Sequence, residues 1–297
     1  MLNHYITVFT PTYNRGYIIE NLYRSLQKQS FKNFEWIVVN DGSTDNTDEL
    51  FAKWNTEDNF FPIRYLKVEN GGKHLAINKG VEMADGRMFF IVDSDDYLPD
   101  EALEQIVEVE NSIPETEKSH FAGVCGCKGY TKDRIVGKTY SKEGFLDITS
   151  LERSNFHIEG DKAEVFYTGI LKKYPFPAFE GENFITECVV WDKIAFAGYK
   201  LRFFNKIVYI CDYLPDGLTA KGKNLFVENP QGWGLYLYQS ALYGKLKRMG
   251  KWRAFYDYYD FNKGKKEFLE ISKILHINPL VFLFGIFVLR IFYRFYR

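Results

Sequence analysis

The chain has 297 residues, 46% hydrophobic and 26% charged, which excludes a chain disordered throughout and allows a large core in one or two domains. Its net charge of −1 conceals an asymmetry: residues 221–297 hold 14 Lys or Arg against 5 Asp or Glu, so the first 220 residues are strongly acidic. An acidic front portion excludes a nucleic-acid binder there, while the basic end suits an anionic lipid surface.

In chain order, the first hundred residues alternate strand and helix patterns. Tyr5 to Phe9 is a short apolar, β-branched run that reads as a strand, followed by the loop from Thr10 to Gly16. Ile18, Ile19, Leu22 and Leu26 then recur at helical spacing. Phe34 to Val39 is a second strand, closed by Asn40-Asp41-Gly42-Ser43. Thr44 or Asp45 is suited to cap the next helix, whose first turn carries Asp48 and Glu49. Ile63 to Val68 is a third strand, broken by Asn70-Gly71-Gly72 before a helix with Leu75, Ala76, Lys79 and Gly80. Met88 to Val92 is a fourth, almost wholly apolar and so buried on both faces. It runs into Asp93-Ser94-Asp95-Asp96, and Pro99 and Asp100 open another helix.

Such alternation predicts a parallel α/β arrangement, in which ligands bind beyond the carboxyl ends of the strands. The polar residues gather at those ends: Thr10 and Arg15, Asp41, Asn70 and Lys73, then Asp93 and Asp95. Beyond a polar loop at 111–119 the pattern loosens. Residues 121–179 read as short strands with turns, 180–197 regain a helical character, and the chain from about 221 is basic, aromatic and helical. Cys125, Cys127, Cys188 and Cys211 have neither zinc-ribbon nor Cys-x-x-Cys spacing and are expected to pack in a reducing compartment. No signal peptide is visible at the start.

Three aspartates within four positions at a buried strand end repel one another and lose hydration unless something compensates. A hard divalent ion, Mg2+ or Mn2+, accepts carboxylate and diphosphate oxygens together. The alternative is a polar turn in which Asp96 or Asp100 caps the following helix.

Residues 6–100 resemble the donor-binding half of family 2 glycosyltransferases. The resemblance is carried by Val8-Phe9-Thr10-Pro11-Thr12-Tyr13-Asn14-Arg15, by Glu35 through Asp45, by Asn70-Gly71-Gly72 with Ala76, Asn78 and Gly80, and by Val92-Asp93-Ser94-Asp95-Asp96. It implies a GT-A fold: a Rossmann-like, nucleotide-sugar-binding mixed sheet with flanking helices, here followed by a C-terminal helical extension. It implies an inverting transfer from a nucleoside-diphosphate sugar, commonly a UDP sugar. By the same resemblance Thr10, Pro11, Tyr13 and Arg15 surround the nucleoside and Asp41 bonds the base. Asn70 and Lys73 lie near base or diphosphate, Asp93 and Ser94 face ribose or sugar, and Asp95 with Asp93 holds Mn2+ or Mg2+. Ile77 departs from the family, which often has Arg just before Asn78.

Inversion needs a carboxylate to take the acceptor proton. The stretch from Gly181 to Glu187, followed by Trp191 and Gly198-Tyr199, resembles the family segment in which an acidic pair opens a helix and Gly-Tyr closes it. Counting back from Gly198 selects Glu187 as the base, with Glu182 as the alternative; Glu180 and Trp191 are candidates to touch the acceptor. The segment from Asp212 to Thr219 is a candidate cover for the diphosphate.

The expected organisation is a catalytic domain over 1–220, with a donor half (1–110) and an acceptor half (111–220), then a helical extension over 221–297. In 277–297 the apolar run from Pro279 to Leu289 is shorter than the ~20 residues that span a bilayer. Arg290, Arg294 and Arg297 recur at helical spacing among aromatics, which suits a helix lying in a membrane interface. The alternative is a terminal helix docked on the protein. The expected location is the cytoplasmic face of the cell membrane, with a glycan or lipid-linked acceptor in polysaccharide or glycolipid synthesis. Two other functions fit the pattern less well: a nucleotidyltransferase, and an inactive relative that binds sugar or scaffolds an assembly.

Overall fold

The structure is a computed structural model that describes residues 4–212 and 214–295. Its first half is built from β1 (His4–Thr12), β2 (Phe34–Asn40), β3 (Ile63–Lys67) and β4 (Gly86–Ile91), all mutually parallel in the order β3-β2-β1-β4. Parallel neighbours require crossovers. These are supplied by α1 (Glu20–Gln27), α2 (Thr47–Trp54) and α3 (Lys73–Met83), with α4 (Ala102–Asn111) following β4.

All seven residues of β2 are buried, as a strand covered on both faces requires. Alternation along the strands sends Val8, Val38 and Phe90 to one core, where Tyr23 stacks on Trp54 with ring centroids 4.4 Å apart. Phe9, Ile37 and Phe89 go to the other, together with Ala76 and Ile77 of α3.

The second half extends the same sheet. It contributes β5 (Phe121–Thr131), β6 (Arg134–Ile135), β7 (Leu146–Ile148), β8 (Lys162–Tyr167) and β9 (Lys200–Ile210). Among the described residues the full order is β3-β2-β1-β4-β8-β5-β9-β7, with β6 beside β5. Because β4 pairs in parallel with β1 and antiparallel with β8, the sheet is mixed. The loosened pattern of 121–179 predicts only short strands, yet β5 runs for 11 residues; register shifts where it pairs with β9 bend it and blur its periodicity.

Helices α5 (Thr168–Leu171) and α6 (Cys188–Phe196) cover this half. The helix expected over 180–197 is confined to α6. Its first eight residues are irregular, because Gly181 takes φ +75° and the backbone N–H groups of Asn183 and Phe184 bond a side chain outside the segment. All four cysteines are free, with Cys125, Cys127 and Cys211 buried.

The chain ends in α7 (Lys223–Val227), α8 (Pro230–Leu242), α9 (Arg248–Asn262), α10 (Phe268–Ile274) and α11 (Pro279–Phe295). These helices enclose a core of their own, with Leu237, Phe255, Tyr258, Ile271, Leu275, Phe282 and Ile286 at its centre. Arg297 and the side chain of Arg294 lie outside the described residues.

Candidate active site

The carboxyl ends of β1, β2 and β4 open onto a cleft of about 990 Å³, to which the loop after β3 also contributes. Pro11, Tyr13, Arg15, Asp41, Asn70, Lys73, Asp93, Ser94 and Asp95 all line it. Thr10 does not; it is fully buried, and its hydroxyl accepts the Trp36 indole N–H at 3.0 Å.

Asp41 organises the loop after β3. Its two oxygens accept the Gly71 and Gly72 N–H groups at 2.8 and 2.9 Å, and the Asn70 amide donates to it at 3.2 Å. Burial pushes the Asp41 carboxyl above its ordinary value, and the two backbone donors oppose that. Gly42 has φ +82°, and a Cβ there would stand 2.9 Å from Asn70 N, so the loops after β2 and β3 touch along bare backbone.

The Asp93–Asp96 turn is pinned from the other half of the sheet. The Asp93 N–H donates to the Tyr209 hydroxyl at 2.9 Å, and that hydroxyl donates to Asp96 at 2.6 Å. Lys128 Nζ sits 4.0 Å from the centroid of the Tyr209 ring. Burial, and then the charge of Asp93, raise Asp96 to about 7. The same two causes raise Asp95. Asp93 goes the other way: burial alone would raise it, but the Lys73 and Lys128 ammonium groups outweigh that and hold it low. All three aspartates line the cleft, but Asp96 is engaged by the Tyr209 hydroxyl and the Asp212 N–H and does not cap α4, which has no side-chain cap.

Lys73 opens α3 and bridges two carboxylates, Asp93 Oδ1 at 2.7 Å and Glu187 Oε1 at 2.8 Å. Burial lowers its affinity for a proton, but the two carboxylates prevail and raise it. Glu187, just before α6, does not itself line the cleft; it reaches it through Lys73, which does. Glu182 is used otherwise: its two oxygens accept the N–H groups of Gln231 and Gly232 in the first turn of α8, at 2.6 and 2.8 Å. Glu180 and Trp191 are not among the cleft-lining residues. Glu180 is exposed, and Trp191 packs against Phe166 and Phe176 with centroids 4.5 and 5.8 Å away.

Several lining residues carry no signal in the sequence. Lys128 and Asp161 come from the irregular second half, as does the buried Tyr209 that pins the turn from behind, and no motif marks any of them. Asn183 and Phe184 line the cleft beside Glu187's segment. The candidate cover does lie along the cleft, with Asp212 and Leu214 through Lys221 lining it. It is held by Asp216, which accepts from Arg15 at 2.5 Å and from the Tyr17 hydroxyl at 2.7 Å.

A divalent ion fits this donor set. Asp95 is half-buried in the cleft, where burial and then the charge of Asp93 push it upward; a cation beside the two carboxylates would relieve both. Among the described residues no three His, Cys, Asp or Glu side chains are grouped to hold a metal. One or two carboxylates with substrate phosphate oxygens completing the shell is the usual arrangement for Mg2+.

Comparison with known proteins gives a consistent result. Residues 7–146 match the model of glycosyl transferase family 2. The chain is 36% identical over 108 residues to the Streptococcus pneumoniae glycosyltransferase GlyG, covering 36% of this chain and 35% of that protein. It is 26% identical over 193 residues to the Campylobacter jejuni GalNAc(5)-diNAcBac-PP-undecaprenol beta-1,3-glucosyltransferase, covering 63% and 58%. These matches span about a third to three-fifths of those relatives' lengths. The fold resembles Staphylococcus aureus TarS 1-349 in complex with UDP-GlcNAc, with TM-score 0.58 and 21% identity over 86% of this chain and 81% of that one. It also resembles a Pyrobaculum calidifontis mannosyltransferase in complex with GDP-Man and Mn2+, with TM-score 0.57 and 19% identity over 92% and 72%. With the strand-end residues of the matched segment gathered around one cleft, the chain has the GT-A fold, and its residues 7–146 belong to glycosyl transferase family 2.

Proposed function

We propose that this protein transfers a sugar, with inversion, from a nucleoside-diphosphate sugar to a glycan or lipid-linked acceptor in cell-surface polysaccharide or glycolipid synthesis. UDP is the favoured nucleotide, because the resembling TarS structures hold UDP and UDP-GlcNAc. The acceptor class is supported by the undecaprenol-linked substrate in the Campylobacter relative's name. The observation that carries the reading is the Lys73 bridge, which brings the donor-side Asp93 and the candidate base Glu187 to one ammonium group.

In this reading the loops after β2 and β3, tied through Asp41 and Asn70, form the slot for the base. Lys73 supplies positive charge to the diphosphate. Glu187 accepts the proton of the acceptor hydroxyl as that oxygen attacks the anomeric carbon from the face opposite the diphosphate. Asp93 and Asp95 would hold Mn2+ or Mg2+, which when bound neutralises charge on the leaving nucleoside diphosphate. Asp212 and Leu214 through Thr219, the candidate cover, exclude water once the donor is seated.

A panel of nucleotide sugars tests the proposal, with nucleoside diphosphate release followed with Mn2+, with Mg2+ and with chelator. Asp95→Ala runs alongside. Metal-dependent release that the variant loses supports the reading. Pyrophosphate release from a nucleoside triphosphate and a sugar phosphate would instead indicate a nucleotidyltransferase. Donor binding without turnover against any acceptor pool would indicate an inactive relative.

The proposal includes contact with the cytoplasmic face of a membrane through α11. One stripe of that helix, Phe282, Ile286 and Leu289, is buried, the first two in the C-terminal core. The other is apolar and open, with Leu280, Phe284 and Phe287 exposed by 77%, 69% and 61%. Among the described residues no single helix is long and apolar enough to cross a membrane. An interfacial helix beside a basic segment fits an anionic leaflet. Co-sedimentation with phosphatidylglycerol vesicles should be lost in Phe284→Glu/Phe287→Glu, whose side chains are exposed; unchanged binding would overturn this part.

A further inference from the structure

The segment that leads to Glu187 is gripped from two sides. On the donor side Gly72 has φ +94°, and a Cβ there would stand 1.8 Å from the Asn183 carbonyl oxygen. The loop that Asp41 organises is therefore packed on the backbone of Asn183, with no space for a side chain between them. On the other side stands Asn229, which precedes α8 and is 2% exposed. Its side-chain oxygen accepts both the Asn183 N–H at 2.9 Å and the Phe184 N–H at 3.0 Å, and its side-chain nitrogen donates to Leu225 O at 2.7 Å. Glu182 completes the joint by accepting the Gln231 and Gly232 N–H groups, a carboxylate at a helix N-terminus where the dipole favours it.

These contacts reach the C-terminal core. Tyr258, fully buried there, donates its hydroxyl to Pro230 O at 2.8 Å. Gly234 lies so close to Ile274 that a Cβ would be 2.3 Å from its side chain. The N-terminal end of α8 is thus fixed against α9 and α10 and, together with Asn229, grips residues 182–184. Glu187 follows Phe184 by three positions, with the buried Ile185 between them.

We infer that Asn229 and Glu182 are positioning residues: they make the C-terminal helical bundle the support that sets the Glu187 carboxylate opposite the donor. The inference rests on the reading of Glu187 as the base. An amide accepting two backbone N–H groups fixes both peptide planes at once, and reacting groups displaced by about 1 Å lose on the order of 100-fold in rate. The nucleoside slot has its own supports in Asp41 and Asn70, so although Asn183 and Phe184 also line the cleft this joint acts chiefly on turnover.

The test uses the full chain, UDP as the binding probe, and the UDP sugar that the unaltered protein hydrolyses fastest as the turnover probe. Asn229→Ala is expected to lower kcat about 30- to 100-fold while KM for the UDP sugar and calorimetric UDP affinity change by less than about threefold. Amide hydrogen exchange at Asn183 and Phe184 should quicken in the same variant. Asn229→Asp keeps the oxygen that accepts both N–H groups but gives up the bond to Leu225 O, so it should recover part of the rate. Glu182→Gln keeps one accepting oxygen, so a fall of about fivefold is expected, with faster exchange at Gln231 or Gly232.

Faster exchange at Asn183 and Phe184 with kcat unchanged would overturn the inference. So would a parallel loss of UDP affinity and kcat that Asn229→Asp fails to rescue, which marks a general structural role. Should Asn229→Ala not fold, Glu182→Gln decides by the same criteria. Turnover retained in Glu187→Gln would instead overturn the base assignment, and exchange at Asn183 and Phe184 distinguishes that failure from failure of the joint.

Discussion

Lys73 Nζ stands 2.8 Å from Glu187 Oε1, and this contact joins the first turn of α3 to the residue that opens α6. The same ammonium reaches Asp93 at 2.7 Å. One cation therefore serves a donor-side carboxylate and the candidate base, and a bound diphosphate competes with both for it. Lys73→Met should weaken UDP binding about 10-fold and lower turnover about 100-fold, by loss of charge-assisted bonds to phosphate. Calorimetry and UDP release check this; affinity and turnover both unchanged would remove Lys73 from the donor site.

Glu187→Gln keeps the size and a hydrogen-bonding oxygen but cannot accept a proton. Turnover should fall by 10²- to 10⁴-fold on the order expected for a general base, with UDP affinity within about threefold. Steady-state rates with the preferred UDP sugar measure it. A variant as active as the parent would return the search to the other carboxylates around the cleft.

Asp95→Asn removes the carboxylate that burial and Asp93 together hold above its ordinary value. Neutralising it should abolish the dependence of UDP affinity on Mn2+, with a loss of at least about 10-fold at saturating metal. Calorimetric titrations of UDP with Mn2+ and with chelator supply the comparison. If affinity in the parent protein ignores the chelator, the metal reading fails before the variant is made.

Away from the cleft, Glu110 ends α4 fully buried among cations and phenols. Arg87 donates to it at 2.8 Å, the Tyr167 hydroxyl at 2.7 Å and Lys118 at 3.1 Å, and Tyr5 also bonds it. Burial would raise this carboxyl, but the hydrogen bonds from Tyr5, Tyr167 and Lys118 outweigh it and hold it low. A carboxyl lower in the folded than in the unfolded state stabilises fully above the unfolded value of about 4.3, and this contribution is lost as pH falls through the folded value. Glu110→Gln should therefore cost about 2–3 kcal/mol near neutrality, and the gap to the parent should close in acid. Urea unfolding at pH 7 and pH 4 tests the sign; a gap that widens in acid would contradict it.

The donor half was legible because its signals are local. Each strand of β1 to β4 ends at a polar loop, and every loop residue read as donor-binding lines the cleft except Thr10. Thr10 misleads because it sits inside β1, which runs on to Thr12, and its hydroxyl is turned to Trp36 in the core. The second half resists reading for a physical reason. Tyr209 and Lys128 reach the Asp93–Asp96 turn only because β9 and β5 lie side by side, a pairing between residues some 80 positions apart that leaves no periodic trace. Glu182 and Glu187 are alike as acidic residues in one short segment. What separates them is the position of α8, which claims both Glu182 oxygens.

The sheet carries a seam at β4, parallel to β1 on one edge and antiparallel to β8 on the other. The Asp93–Asp96 turn hangs from that seam and takes one anchor from Tyr209 across it. Strands beyond β8 can lengthen, bulge or shift register without passing the disturbance to β1 to β3, which are stitched together by their own ladders. A lineage could thus exchange one partner of the reaction while keeping the other, much as a tool keeps its handle when the bit is changed. Transplanting the strands after β8 between relatives, with Tyr209 retained, is the engineering counterpart of that freedom.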